Sequence, residues 1–179
     1  DLPRANRRRR QGLPDLLRAL DRIEGDFWIR VLYTHPNHWS PELVAAMASL
    51  GKVVPYVDLP LQHVSDRILT AMGRRTTRRT IEDLIRQIRR SIPGVTLRTT
   101  FIVGFPGESR AEFRELLEFV RQTRFDRLGV FTYSPEKGTP AARLPQKVSP
   151  QTMESRRHQI MTLQKSISAE LGAAQLGQT

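Results

Sequence analysis

The stretch Leu97 to Phe105, LRTTFIVGF, constrains the fold more than any other part of the sequence. It has the length and the β-branched, apolar content of a strand, and Gly104-Phe105-Pro106-Gly107 stops it abruptly. Ser109-Arg110-Ala111-Glu112 follows at once as a capping box, so a helix begins directly after the turn, with Phe113, Leu116, Leu117 and Val120 on its inward side. A strand that feeds a helix through so short a turn is one βα unit. The nearly continuous apolar run Phe101 to Val103 predicts burial on both faces, as in a parallel sheet.

The same alternation recurs along the chain. Leu13, Leu16, Leu17 and Leu20 form the stripe of an amphipathic helix. Phe27 to Tyr33 reads as a strand, and Ser40-Pro41 opens a helix that runs through Leu50. Val53 to Leu61 reads as the next strand. Ser65 caps a helix carrying Ile68, Leu69 and Met72, and a second helix begins at Thr80, buries Ile81, Leu84, Ile85 and Ile88, and stops at Pro93-Gly94. Leu128 to Tyr133 completes four strands. Ser149-Pro150 opens a last helix with Met153, Ile160, Leu163, Ile167 and Leu171 along one side.

Strands alternating with helices of this length give an α/β fold with a parallel sheet and right-handed crossovers. Ligands in such folds bind at the carboxyl ends of the strands. That rule selects Tyr33 to His35, Pro60 to His63, Gly104 to Glu108, and Tyr133 to Pro135. Four strands are too few for a closed eight-stranded barrel, which takes about 250 residues.

With 179 residues, 39% of them hydrophobic, the chain is large enough for one domain with a packed core. No apolar run approaches the roughly 20 residues that span a bilayer, so the expected location is the cytoplasm. A formal net charge of +11 favours polyanionic partners such as RNA or a ribosome, and equally suits a solvated basic surface. The sequence contains no cysteine. That excludes disulfides, thiol nucleophiles and Cys-ligated zinc or iron–sulfur centres built from these residues.

Gly104 to Glu108 lacks the Gly-Lys-Ser/Thr of a phosphate loop and the third glycine of a dinucleotide fingerprint. What remains is a backbone that can approach a flat ligand at Gly104, with Glu108 near a helix N-terminus, or simply a strand-to-helix turn. Gln62 and His63 offer donor and acceptor groups at a strand end, and they equally suit a capping loop. His35-Pro36-Asn37-His38 lacks the fixed helical spacing of a histidine metal site, and no metal ligand set is expected. Arg7 to Arg10 and Arg74, Arg75, Arg78 and Arg79 read as phosphate contacts or as solvated faces.

Three blocks, YVDLPLQHVSDRILTAMGRR, LRTTFIVGFPGE and LGVFTYSPEKGTPAARLP, resemble in order and spacing the radical SAM methylthiotransferases, over about residues 13–171. Gln62-His63 is similar to the branch that modifies an aspartate of ribosomal protein S twelve; the tRNA-modifying branch carries Gln-Ser-Gly there. The resemblance implies a partial six-stranded (β/α) barrel, of which this chain would supply strands three to six. It implies S-adenosylmethionine and two four-iron four-sulfur clusters as cofactors, with neither cluster ligated by residues present here. It also implies a ribosomal partner and a monomer.

On this reading residues 1–12 continue from an N-terminal part that holds the cluster cysteines, and residues 172–179 lead toward an RNA-binding TRAM domain. The fragment alone is then inert, and no residue in it is assigned a catalytic role. The implied adenine contacts are the main chain at Ile102, Val103 and Gly104, with Phe131 to Tyr133. Gln62 would meet the ribose or methionine part and Arg98 the carboxylate. Gly107 and Glu108 would fix the turn, while His63, Tyr33 and His35 would lie on the substrate side. Two other readings stay open: a tRNA adenosine methylthiotransferase, and a cluster-free basic module that docks on RNA or ribosome.

Overall fold

The computed structural model describes residues 12–177. The arginine run Arg7 to Arg10 lies outside them. The elements run α1 (Leu13–Asp21), a 3-10 turn (Pro36–His38), α2 (Pro41–Ser49), β1 (Tyr56–Asp58), α3 (Asp66–Ala71), α4 (Arg78–Ser91), β2 (Thr96–Val103), α5 (Arg110–Thr123), β3 (Arg127–Thr132), a 3-10 turn (Pro140–Arg143) and α6 (Pro150–Ala173). The strands form a parallel sheet in the order β1-β2-β3. Asp58 stands opposite Arg98, Phe101 opposite Val130, and Val103 opposite Thr132.

Local chemistry accounts for the helix boundaries. The Ser40, Ser109 and Ser149 hydroxyls each accept from the backbone N–H three residues on, and Pro41 and Pro150 occupy first helical positions where no N–H is needed. The second helix of the central pair starts earlier than its apolar stripe suggests. Thr77, not Thr80, is its N-cap, and the Thr80 hydroxyl reaches back to the Thr77 main chain. α3 ends in a Schellman motif: Gly73 N–H donates to Thr70 O and Arg74 N–H to Leu69 O, with Gly73 at φ +72°.

The expected strand from Phe27 to Tyr33 is not formed. Only Ile29 pairs, by one parallel bridge to Val53. Pro55 is the cause. It has no N–H, and the N–H of Tyr56 turns back to Val54 O at 2.7 Å, removing the donor and acceptor that Val31 would need to extend the ladder. β1 is likewise shorter than the span Val53 to Leu61, being bracketed by Pro55 and Pro60. Gln62 rejoins β2 further on through a single bridge to Phe101.

Burial of β2 also departs from expectation. Leu97, Thr99, Phe101 and Val103 are buried, whereas Thr96, Arg98, Thr100 and Ile102 are only half-covered. One face of the strand therefore lies on the helices and the other borders open space, the arrangement of a curved sheet that does not close. The buried face is nucleated by Phe101, Phe119 and Phe125, whose rings meet edge-on or tilted at 5.9 to 6.4 Å between centroids. α6 packs along β3 with Ile160 and Ile167 inward, and the buried Gln164 donates to Phe125 O at 2.7 Å.

Candidate functional site

The half-covered face of the sheet opens at the carboxyl ends of the strands into a cavity of about 780 Å³. Gln62 lies behind β1, Ile102 and Phe105 come from the end of β2, Phe131 to Ser134 from β3, Thr70 to Arg74 from the end of α3, and Thr139 to Ala141 from the 3-10 turn beyond. A volume of this size suits a drug-sized ligand such as a nucleoside.

Gln62 is the most specifically placed side chain. Its backbone is left-handed, at φ +70°, an uncommon state for a residue other than glycine. Two main-chain bonds to β2 hold it there, Gln62 N–H to Thr100 O at 2.9 Å and Ile102 N–H to Gln62 O at 2.8 Å. Backbone strain of this kind concentrates where a side chain must be aimed. Opposite it, Phe131 is 64% exposed on an edge strand, and the Tyr133 ring stands edge-on to Phe105 at 5.2 Å. The Tyr133 hydroxyl is buried and has no hydrogen-bond partner among the described residues.

The turn Gly104 to Glu108 frames this cavity from behind. Glu108 is buried, and its carboxylate accepts from Gly104 N–H and from Arg156 Nη1 at 2.8 Å. Arg156 also donates to Glu108 O at 3.1 Å and lies over the Phe113 ring. His63 is fully buried on the other side. Its Nδ1 accepts from Ser65 N–H at 3.0 Å, so the ring proton sits on Nε2 and points at Glu108 Oε1, 3.4 Å away. One carboxylate thus ties the end of β1, the turn and α6 together.

A second clamp holds the outside of the turn. Arg67 donates to Gly107 O and to both oxygens of Glu112, which also accepts from the Ser109 N–H and hydroxyl and the Ser65 hydroxyl. Burial acts to raise the Glu112 carboxyl, but the bonds from Arg67, Ser109 and Ser65 outweigh it and hold the group at about 2.

Of the residues singled out in the sequence, the cavity brings together Gln62, Ile102, Phe131 and Tyr133. The others stand elsewhere. Val103 is buried on the helix-facing side of β2, as strand alternation requires. A Cβ on Gly104 would lie 2.3 Å from Met153 Cγ, so its missing side chain makes room for α6 rather than for a ligand. Glu108 and His63 are sealed in the buried network. Arg98 is paired with the fully buried Asp58 at 2.8 Å and does not line the cavity. Asp58 also accepts from Tyr33 N–H at 3.0 Å.

Tyr33 and His35 line a separate cavity of about 570 Å³ beside α2. His35 caps the 3-10 turn through Nδ1 and is lowered from its ordinary value by burial, then by the charges of Arg74 and His38. Phe105, Met72 and Arg74 line the main cavity without having been placed there by the sequence reading. The signal for Phe105 was its place inside the turn; that for Arg74 was the glycine before it, which ends α3 at the cavity rim.

The sequence matches the radical SAM superfamily over residues 9–120. The chain belongs to that superfamily. It is 54% identical over 167 residues to the ribosomal protein uS12 methylthiotransferase RimO of Opitutus terrae, covering 93% of this chain and 36% of that protein. The RimO of Thermotoga maritima is 48% identical over 160 residues, 89% of this chain and 37% of its own length. The chain thus spans a little over a third of the curated relatives it matches.

Among solved structures, coproporphyrinogen III oxidase (HemN) from Escherichia coli superposes with a TM-score of 0.61 at 18% identity, over 80% of this chain and 32% of that one. The N-terminally truncated Elp3 of Methanocaldococcus infernus gives 0.56 at 16% identity, over 86% and 40%. Both share the fold, which makes the three-stranded sheet part of a radical SAM barrel. Radical SAM membership implies S-adenosylmethionine and a four-iron four-sulfur cluster as cofactors of the family.

Proposed function

We propose that this chain is the cofactor-holding portion of a radical SAM methylthiotransferase that modifies an aspartate of ribosomal protein S twelve. The observation that carries the reading is Gln62, held in a left-handed conformation at the mouth of a cavity otherwise lined by Ile102, Phe105 and Phe131. The substrate assignment is supported by the RimO relatives. The cavity fits S-adenosylmethionine in size and in its apolar faces with few polar groups.

In this reading Ile102 and Phe131 sandwich the adenine, and the edge main chain from Phe131 to Tyr133 reads its polar rim. The Gln62 amide bonds the ribose. Bound S-adenosylmethionine, with a reduced cluster, supplies the radical that removes hydrogen from an unactivated carbon. The residues of this chain bind, orient and exclude water; the Glu108 network keeps the strand ends in register while they do so. Because the sequence has no cysteine, thiolate ligands for either cluster of the complete enzyme come from outside these residues. The formal charge of +11 favours approach to an RNA-rich ribosomal subunit.

The test is S-adenosylmethionine binding by calorimetry, using the longest natural polypeptide that contains this chain. Gln62→Ala removes one or two hydrogen bonds and is expected to weaken binding by about 5- to 30-fold. An unchanged dissociation constant would reject the role of Gln62. Mass spectrometry of ribosomal protein S twelve and of tRNA after turnover decides the substrate: methylthio mass on tRNA alone would overturn the protein substrate.

A further inference from the structure

Arg74 is the one charged residue among those lining the main cavity. It is half-buried, and its guanidinium has no hydrogen-bond or ion-pair partner among the described residues. The other buried or half-buried arginines all have one. Arg18, Arg78, Arg98, Arg124, Arg156 and Arg157 each hold a carboxylate within 3.3 Å. A guanidinium withdrawn from water without a counter-ion is costly, and burial accordingly lowers Arg74 from its ordinary value.

The position is built by the chain itself. Arg74 is the residue after the left-handed Gly73, and the bond from its N–H to Leu69 O locks its backbone at the end of α3. No Asp or Glu lines the cavity. The missing anion therefore has to arrive with the ligand. Arg98, the residue expected to receive the cofactor's carboxylate, already holds Asp58.

We infer that Arg74 is the carboxylate receptor of this cavity. The shared chemistry is a carboxylate on an otherwise uncharged or cationic ligand, with two sources: the methionine part of S-adenosylmethionine, or the acidic side chain to be modified. Arginine suits either, since its planar fork pairs with both carboxylate oxygens. The inference rests on the cavity being the S-adenosylmethionine site.

The experiment compares wild type and Arg74→Gln in the longest natural polypeptide containing this chain, by calorimetry. One pair of probes is S-adenosylmethionine and decarboxylated S-adenosylmethionine. The other is a peptide of the ribosomal protein S twelve loop with its aspartate and the same peptide with asparagine. If the cofactor is the source, wild type prefers the carboxylated form by at least about tenfold and Arg74→Gln abolishes the preference. If the substrate is the source, the aspartate-over-asparagine preference is lost instead. Arg74→Lys should keep part of whichever preference exists.

Loss of neither preference in Arg74→Gln, with S-adenosylmethionine still bound by wild type, would overturn the role of Arg74 alone. Failure of wild type to bind S-adenosylmethionine at all would overturn the cavity reading and this inference with it. A merely structural role for Arg74 would weaken all four probes alike and leave both preferences intact, which also counts against the inference.

Discussion

Replacing Gly104 with alanine tests whether that glycine serves the helix or the ligand. Two costs add. The residue sits at φ +76°, where a side chain costs about 1–2 kcal/mol. The new Cβ would lie 2.3 Å from Met153 Cγ, 3.0 Å from Sδ and 3.2 Å from Cβ, so the obstruction is the root of the Met153 side chain and not its flexible tip. Relief requires Met153 to change rotamer or α6 to shift, an overpacking cost of about 1–3 kcal/mol. Gly104→Ala should therefore destabilise by about 2–5 kcal/mol. Urea unfolding of Gly104→Ala, Met153→Ala and the double variant separates the two parts. The double variant should recover the overpacking part, giving a favourable coupling of about 1–3 kcal/mol, and should keep wild-type affinity for S-adenosylmethionine. Additivity within about 0.5 kcal/mol would refute the claim that Met153 occupies the space. Loss of cofactor affinity in the double variant, with stability restored, would return Gly104 to the ligand site.

Acid should weaken the outer clamp of the turn. Glu112 takes up a proton at about 2 when folded against 4.5 ordinarily, so its contribution is whole above pH 4.5 and disappears as pH falls toward 2. That difference is worth about 3 kcal/mol at most, and screening of the 59%-exposed Arg67 reduces it to about 2 kcal/mol. Glu112→Gln should lower stability at pH 6 by that amount and converge with wild type near pH 2; parallel pH profiles would contradict the clamp. Tyr133→Phe removes a buried hydroxyl that has no partner among the described residues while keeping the ring on Phe105. Stability should stay level or rise by up to about 1 kcal/mol. A clear loss in thermal unfolding would mean that the hydroxyl is bonded.

Much of the fold was legible because it is written in short-range chemistry. The caps at Ser40, Ser109 and Ser149 and the stripes of α4 and α5 depend on residues three or four apart, which the sequence displays directly. The failures have local causes too. Pro55 was visible in the sequence, yet its effect depended on where the Tyr56 N–H would go, and that ended the strand expected from Phe27 to Tyr33. The site was legible only in part. Gln62, Ile102, Phe131 and Tyr133 could be placed because strand ends gather at one edge of a parallel sheet.

What no spacing displays is which groups satisfy one another across 40 or more residues. Glu108 and His63 look like reactive groups at strand ends until Arg156, 48 positions from Glu108, closes the network around them. Gly104 looks like room for a ligand until α6 lays Met153 against it. Arg98 looks free until Asp58 claims it, and Arg74 looks like one more surface cation until it proves to have no such claimant among the described residues. The sequence by itself determined the parallel α/β architecture and the edge at which a ligand meets it, since periodicity and capping act within a turn or a strand. Tertiary structure alone decided which polar groups at that edge remain available, because burial and charge pairing are settled only when distant segments meet.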